Sequence, residues 1–243
     1  MEVKPYSESS DSKKTQVAMM FNNIAHRYDF LNHLLSMGVD KIWRRRAIRL
    51  LKDLKSPRVL DIATGTGDLA IVALRLKPSE VVGLDLSKEM LKVAQVKINR
   101  KGVADIIKLM AGDSENLPFE DNSFDAITVA FGVRNFENLN KGLSEMSRVL
   151  KPGGKVVVLE FSNPDKFPIK QIYGFYFKYV LPFWGGLFSK DKAAYTYLPE
   201  SVKAFPEGEN FENEMKRANI KPIKRFKQTF GVATIYFGEK ASQ

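Results

Sequence analysis

Asp61, Gly65, Gly67 and Asp85 stand where a nucleotide site would need them. Residues 59–70 form an apolar run that ends in the carboxylate of Asp61, turns on Gly65 and Gly67, and opens an amphipathic segment at Leu69. Glycines there let the backbone approach a ligand, and the helix that follows offers unpaired N–H groups at its start. About twenty residues on, Val81-Val82-Gly83-Leu84-Asp85 is a second short apolar run closed by an acid, the position from which a carboxylate holds ribose hydroxyls. Turn or helix-capping roles compete at both acids, with Ser87 as the rival cap beside Asp85.

The glycines alone leave two cofactors open. Gly65-x-Gly67-x-x-Ala70 satisfies the dinucleotide fingerprint with Asp85 as its ribose acid, which would suit an NAD-dependent dehydrogenase. A pyrophosphate, however, would lie near Asp61 and Asp68, with no Lys or Arg between them. S-adenosyl-L-methionine carries a sulfonium and an ammonium, so acids around the loop match its charge, and an acid on the ribose matches its hydroxyls. Tyr236 and Lys240 make a Tyr-x-x-x-Lys pair, but in an expected terminal strand, so they are discounted as dehydrogenase chemistry. Gly112-Asp113-Ser114 closes a third apolar run, where a carboxylate and a backbone N–H reach toward an adenine edge or simply form a solvated turn.

These residues need a sheet to bring them together. Apolar runs at 58–62, 81–84, 106–110, 126–131 and 156–161 alternate with helical patterns at 69–76, 88–100 and 141–150. Alternation of this kind predicts an α/β fold, Rossmann-like and doubly wound, with a mostly parallel sheet. Lys151-Pro152-Gly153-Gly154 reads as a helix stop followed directly by a strand. Two further strands, near 221–228 and 232–238, bring the sheet to seven; the connection at 229–231 is too short for a crossover, so the C-terminal strand is antiparallel. Ahead of the first strand, the spacing of Met20, Ile24, Tyr28, Leu31 and Leu35, then Trp43, Ile48 and Leu51, predicts two or three helices joined around Gly38.

Composition sets the outer bounds. A chain of 243 residues with 44% hydrophobic content suits one main domain. We read residues 1–14 as a flexible tail and 15–243 as the domain, with helices over 15–54 and an insertion over 164–206. The net charge of +10 suits nucleic acid, an anionic membrane surface or a phosphorylated ligand, and equally a solvated Lys-rich surface. With no Cys, and only His26 and His33 as imidazoles, no metal centre is expected. The N-terminus is polar and no charge-free apolar run reaches about eighteen residues, which predicts a cytoplasmic protein.

Three segments carry a family resemblance. Tyr28-Asp29-Phe30-Leu31-Asn32 with Leu35-Ser36-Met37-Gly38 and Trp43 is one; Phe131-Gly132-Val133-Arg134-Asn135 is another; the third runs from Arg148 through Lys151-Pro152-Gly153-Gly154 to Glu160-Phe161-Ser162. Together they resemble the class I S-adenosylmethionine-dependent methyltransferases that methylate a ring carbon of ubiquinone and menaquinone precursors. The match extends from about Thr15 to the C-terminus. It departs at Leu31, where the family usually has Met, and at Asp40 or Lys41, where it often has His. By this resemblance Thr66, Asp85, Asp113 and Ser114 fall on cofactor contacts, beside Asp61, Gly65 and Gly67. The family often has Ser where Ala130 stands, so that hydrogen bond is missing here.

The implied reaction makes further demands. A ring carbon becomes a nucleophile when the neighbouring phenol loses its proton, so the site must favour a phenolate. Arg134 is placed to stabilise it and Asn135 to orient it, with a structural salt bridge as the competing role for Arg134. Tyr28, Asn32 and Tyr176 are the residues expected to touch the acceptor; Tyr28 and Asn32 would otherwise be core, and His26 and His33 stay unassigned. Residues 167–188 are dense in aromatics, including Tyr173, Phe175 and Tyr176, as a wall for an isoprenoid tail would be. That segment fits a lid, a dimer contact or a membrane dock, and Lys41, Arg44, Arg45, Arg46, Arg49 and Lys52 form either a docking face or a solvated one. The expected partner is a prenylated quinol, most simply demethylmenaquinol, with peripheral membrane contact and no nucleic acid. An RNA methyltransferase and a non-catalytic membrane-surface module are the rivals; the Asn/Asp-Pro-Pro-aromatic motif of the exocyclic-amine enzymes is missing after the fourth strand.

Overall fold

A computed structural model describes residues 3–36, 38–175 and 193–241, without the side chains at 30–35 and 195. Its centre is a seven-stranded sheet of β1 (Arg58–Ile62), β2 (Glu80–Asp85), β3 (Ile107–Ala111), β4 (Phe124–Ala130), β5 (Leu150–Phe161), β6 (Ile220–Gln228) and β7 (Ala233–Lys240). The order is β3-β2-β1-β4-β5-β7-β6, and only β7 runs against its neighbours. This is the doubly wound, mostly parallel sheet that the alternating pattern implies. The order reverses between β1 and β4, which opens a crevice at their carboxyl ends.

The helices are α1 (Lys13–Leu35), α2 (Asp40–Arg49), α3 (Asp68–Ala73), α4 (Lys88–Lys101), α5 (Leu139–Val149), α6 (Ile169–Phe175), α7 (Ala193–Ala204) and α8 (Glu209–Arg217). Successive strand residues point to opposite faces, so Leu60, Val82, Ile127 and Val158 pack toward α5 and α8. Val59, Val81, Ala126 and Val157 pack toward α2, α3 and α4. Truncating one of these wholly buried side chains to Ala costs about 2–5 kcal/mol where a Leu or Ile is lost.

The segment before the sheet is two helices either side of Gly38, a long α1 and a short α2, within the expected two or three. Two local readings change. The tail expected to be flexible is tied down instead: α1 already starts at Lys13, and buried Gln16 accepts the Tyr6 N–H at 2.9 Å while its amide donates to the Asp11 carbonyl at 2.9 Å. Val3 and Tyr6 add apolar contact, packing against the cluster around Val17, Met20 and Ile24. Finally, Leu150 is already in the sheet. Phe124 pairs with Leu150 and Ala126 with Lys155, so Lys151-Pro152-Gly153-Gly154 is a bulge within β5. Tyr236 and Lys240 are structural: the Tyr236 hydroxyl accepts the Gly208 N–H at 2.8 Å, and Lys240 Nζ donates to the Leu150 carbonyl at 2.8 Å.

Candidate active site

The glycine loop is built by its neighbours. Thr64 N–H donates to the Leu84 carbonyl at 3.0 Å, and Gly65 N–H to Asp85 Oδ2 at 2.7 Å, clamping the β1 loop to the end of β2. Gly67 has φ +79°, and a Cβ there would come 3.2 Å from the Ala94 methyl, so the residue lets α4 pack directly on the loop. Asp61 is 1% exposed; it accepts the Thr64 hydroxyl at 2.6 Å and the Thr128 hydroxyl at 2.7 Å. Burial pushes the carboxyls of Asp61 and Asp85 up to about 6, against the hydrogen bonds each receives.

Two adjoining cavities open at this edge. The first lies beneath α1, between Phe21 and Val17 above and Ala63, Asp85, Gly112 and Ser114 below, with Asn135 in its wall. Asp85 Oδ1 also accepts the Ser87 N–H at 2.8 Å. Asn135 donates to the Phe131 carbonyl at 3.3 Å, while its Oδ1 is buried with no partner. The second is small and shares Ala63 with the first; Tyr28, Arg44, Asp61, Asp68, Thr66 and Ala130 line it. Burial raises the phenol of Tyr28, and the nearby Arg134 and Arg44 charges pull it back.

Several expected residues are placed differently from their roles. Arg134 lines neither cavity. Its Nη1 is 2.7 Å from Glu160 Oε1 and its guanidinium lies over the Phe161 ring, 5.5 Å from the centroid, so the competing ion-pair role is realised. Asp113 is outside the cleft wall, accepting Lys14 Nζ at 2.6 Å, whereas its neighbour Ser114 lines the cleft. The Thr66 hydroxyl donates to Asp29 Oδ1. Asp68, expected without a compensating cation, pairs with Lys97, which arrives from α4 rather than from the loop. Arg44, grouped in the sequence with exposed basic residues, is 5% exposed and paired with Asp40. Asp40, Trp43, Arg44, Ala47 and Ile48 form one buried face of α2, and that i, i+3, i+4 spacing was the available signal. His26 is exposed, the Asn32 side chain lies outside the described residues, and so does Tyr176 with residues 177–192.

A cleft at the β1/β4 reversal, with an acid at the end of β2 and an unpartnered amide oxygen, fits a nucleoside carrying polar substituents. The sequence pattern of the ubiE/COQ5 methyltransferase family matches residues 9–240. The chain belongs to that family. It is 49% identical to a demethylmenaquinone methyltransferase of Bacteroides fragilis, over 98% of this chain and 97% of that one. It is 46% identical to the ubiquinone/menaquinone biosynthesis C-methyltransferase UbiE of Geotalea daltonii, over 94% and 97%. Among solved structures, the [4+2]-cyclase SpnF shares the fold at TM-score 0.72 and 14% identity, covering 100% of this chain and 99% of that one. That likeness concerns the fold alone. As a member of the ubiE/COQ5 methyltransferase family the protein is a methyltransferase, and its methyl donor is S-adenosylmethionine. No described helix is long and apolar enough to cross a membrane.

Proposed function

We propose that this family member methylates a ring carbon of a prenylated quinol, demethylmenaquinol first among candidates, in quinone biosynthesis. One observation supports the acceptor class: beside the nucleoside cleft the half-buried phenol of Tyr28 and the guanidinium of Arg44 share a cavity wall, and Arg44 lies over Phe131, which packs with Trp43 and Phe161 behind that wall. Such a wall suits a flat, oxygenated ring better than an amine or a nucleobase edge. The names of the 49% and 46% identical relatives support the same acceptor.

In this reading Asp85 holds the ribose of the donor, Ser114 and the Asn135 Oδ1 meet its polar edges, and Asp113 keeps the adenine side in place through Lys14. Gly65 and Gly67 keep the loop backbone close to the ligand, while Asp61 and Thr66 hold its shape, and Asp61 also places negative charge near the cationic end. S-adenosylmethionine supplies, when bound, the electrophilic methyl carbon. Tyr28, at the wall of the second cavity, positions the ring, with Asn32 and Tyr176 as its further contacts. Arg134 supplies positive charge from behind Tyr28 and favours the acceptor's phenolate, and most of the rate then comes from holding ring carbon and donor in line.

The segment 164–206 covers the isoprenoid tail, and the protein works in the cytoplasm against a membrane surface. Exposed Phe167, Ile172 and Phe175, interleaved with Lys166 and Lys170, support that contact. Purified protein given labelled S-adenosylmethionine and reduced short-chain demethylmenaquinol should transfer the label to the quinol, with tRNA and a benzoquinol precursor in parallel. Transfer confined to tRNA would overturn the reading; transfer to the benzoquinol alone would change the ring.

A further inference from the structure

The turn between β6 and β7 holds Phe230 out of the protein. Thr229, Phe230 and Gly231 follow one another in left-handed backbone, at φ 42°, 58° and 96°, and the Phe230 side chain is 76% exposed. A bulky residue in that region is strained, and Gly or Asn would sit there at less cost. The turn is nevertheless held firmly. Trp43 Nε1 donates to the Thr229 hydroxyl at 2.9 Å, the Ser162 hydroxyl to the Gly231 carbonyl at 2.8 Å, and Arg46 Nη1 to Gln228 Oε1 at 2.8 Å. Trp43 and Ser162 are themselves buried. A rigid support under an exposed, strained aromatic fits a side chain that something outside this chain covers.

The surroundings carry one sign of charge. Every exposed charge on α2 is Lys or Arg, with Arg45, Arg46 and Arg49 among them, and β6 carries Lys224 and Lys227 and no acid. Asp165, which reaches this region, is paired to Lys227 at 3.1 Å. A Cβ on Gly231 would lie 3.6 Å from the Pro164 Cα, so the turn abuts the stretch that leads to exposed Phe167. An aromatic tip set among cations suits the headgroup level of an anionic bilayer, where the ring lies in the interface and the cations meet phosphates. Two other occupants carry the wrong charge. Residues 176–192, outside the described ones, hold Lys178, Lys190 and Lys192 against the single acid Asp191, and a second copy of the chain is itself +10.

The turn also lies at the sheet edge where the donor cleft opens. Phe161, the last residue of β5, pairs with Ala233, the first of β7, and Trp43 packs edge-on against Phe131 and Phe161. We propose that the turn at Thr229-Phe230-Gly231 is a lipid dock: Phe230 enters the interface of an anionic phospholipid bilayer, and the cations of α2 and β6 attract its phosphates. Docked in this way, the carboxyl edge of the sheet is turned toward the bilayer in which a prenylated acceptor resides. The choice of lipid over RNA rests on the quinol reading above, whereas binding to lipid is measured without any acceptor.

The test is co-sedimentation of the full-length protein with vesicles of mixed phosphatidylglycerol and phosphatidylcholine, and with vesicles of phosphatidylcholine alone. Phe230→Asn fits the left-handed backbone better than Phe does, so it should keep or raise the melting temperature while weakening binding to the anionic vesicles about tenfold. Phe230→Trp should bind as the parent does, and its added emission should shift to the blue on those vesicles. Methylation of a short-chain quinol in solution should be equal in the parent and Phe230→Asn, and the variant's KM for a long-chain quinol presented in anionic vesicles should rise. Unchanged binding of Phe230→Asn to anionic vesicles overturns the dock. So does equal binding of the parent to phosphatidylcholine alone, a dimer in solution that Phe230→Asn breaks, or a variant that loses tRNA binding and keeps vesicle binding. A parent that methylates no quinol while Phe230→Asn still loses vesicle affinity overturns the quinol reading and leaves the dock standing.

Discussion

Arg134 and Glu160 meet 2.7 Å apart with side chains 6% and 0% exposed, so the arginine that the sequence offers as a site cation is first of all half of a buried ion pair. Glu160 also accepts the Phe161 N–H at 2.9 Å, and Lys13 Nζ closes over the Phe136 carbonyl at 2.8 Å. Burial raises the Glu160 carboxyl and the Arg134 charge opposes that rise. Breaking such a pair from one side is costly because the remaining charge stays desolvated. Glu160→Gln should lower unfolding free energy by about 3–5 kcal/mol, read as a lower urea midpoint at unchanged slope. A midpoint equal to the parent's would mean that Arg134 is solvated and not held by Glu160.

Asp85 joins the glycine loop to the second strand, and each of its oxygens already receives one backbone N–H. Asparagine keeps one acceptor and turns an amide NH2 toward the other N–H. Asp85→Asn should therefore weaken S-adenosylhomocysteine binding about 10- to 100-fold, the value of one hydrogen bond to a charged group. Calorimetry reads this directly, and an unchanged dissociation constant would remove Asp85 from the donor site.

Asp61 and Asp85 both titrate near 6 because burial disfavours their ionised forms. The folded state binds these protons more tightly than the unfolded chain does. Their contribution to stability is thus complete below about pH 4 and lost as pH rises through about 6. Donor binding has the opposite sign, since ionised carboxylates accept ribose hydroxyls and attract a cation. From about pH 8 to about pH 5 affinity for S-adenosylmethionine should fall, and more steeply than affinity for S-adenosylhomocysteine, which lacks the sulfonium. Parallel curves for the two ligands would show that neither acid senses the positive charge.

The sheet was legible because strand runs, β-α alternation and the short turn at Thr229-Phe230-Gly231 are all local signals. So was the cofactor loop, whose glycines and acids are adjacent in sequence. The charge argument at Asp68 reached the right donor on an incomplete premise, because Lys97 lies on another helix and proximity in the chain cannot reveal it. Arg44 was hidden for a different reason: it opens a run of three arginines, and only the helical phase set by Trp43 and Ile48 separates the buried member from the exposed ones. The Asn135 position illustrates a third limit, since an unpartnered buried oxygen can be recognised only once its surroundings are assembled.

Lys97 joins four elements at one ammonium, and this makes α1 a strap over the donor cleft. Its Nζ is 2.8 Å from Asp29 Oδ2 on α1 and 3.2 Å from the Thr66 hydroxyl in the loop, and it also pairs with Asp68 at the start of α3. Farther along the strap, Asn22 Oδ1 accepts the Ser87 hydroxyl at 2.8 Å, and Lys14 reaches Asp113. Lys97→Met keeps the aliphatic stem but leaves Asp29 and Asp68 to repel one another. The pairs are partly exposed, so the loss is modest, about 1–2 kcal/mol in total. That is enough to open the second half of α1 about tenfold more often, which hydrogen exchange would report as faster exchange confined to that half. The donor's KM should rise with kcat little changed, because the cleft beneath the strap is intact once filled. Exchange in α1 identical to the parent's would show that the helix is held by its apolar face of Val17, Met20 and Ile24 alone.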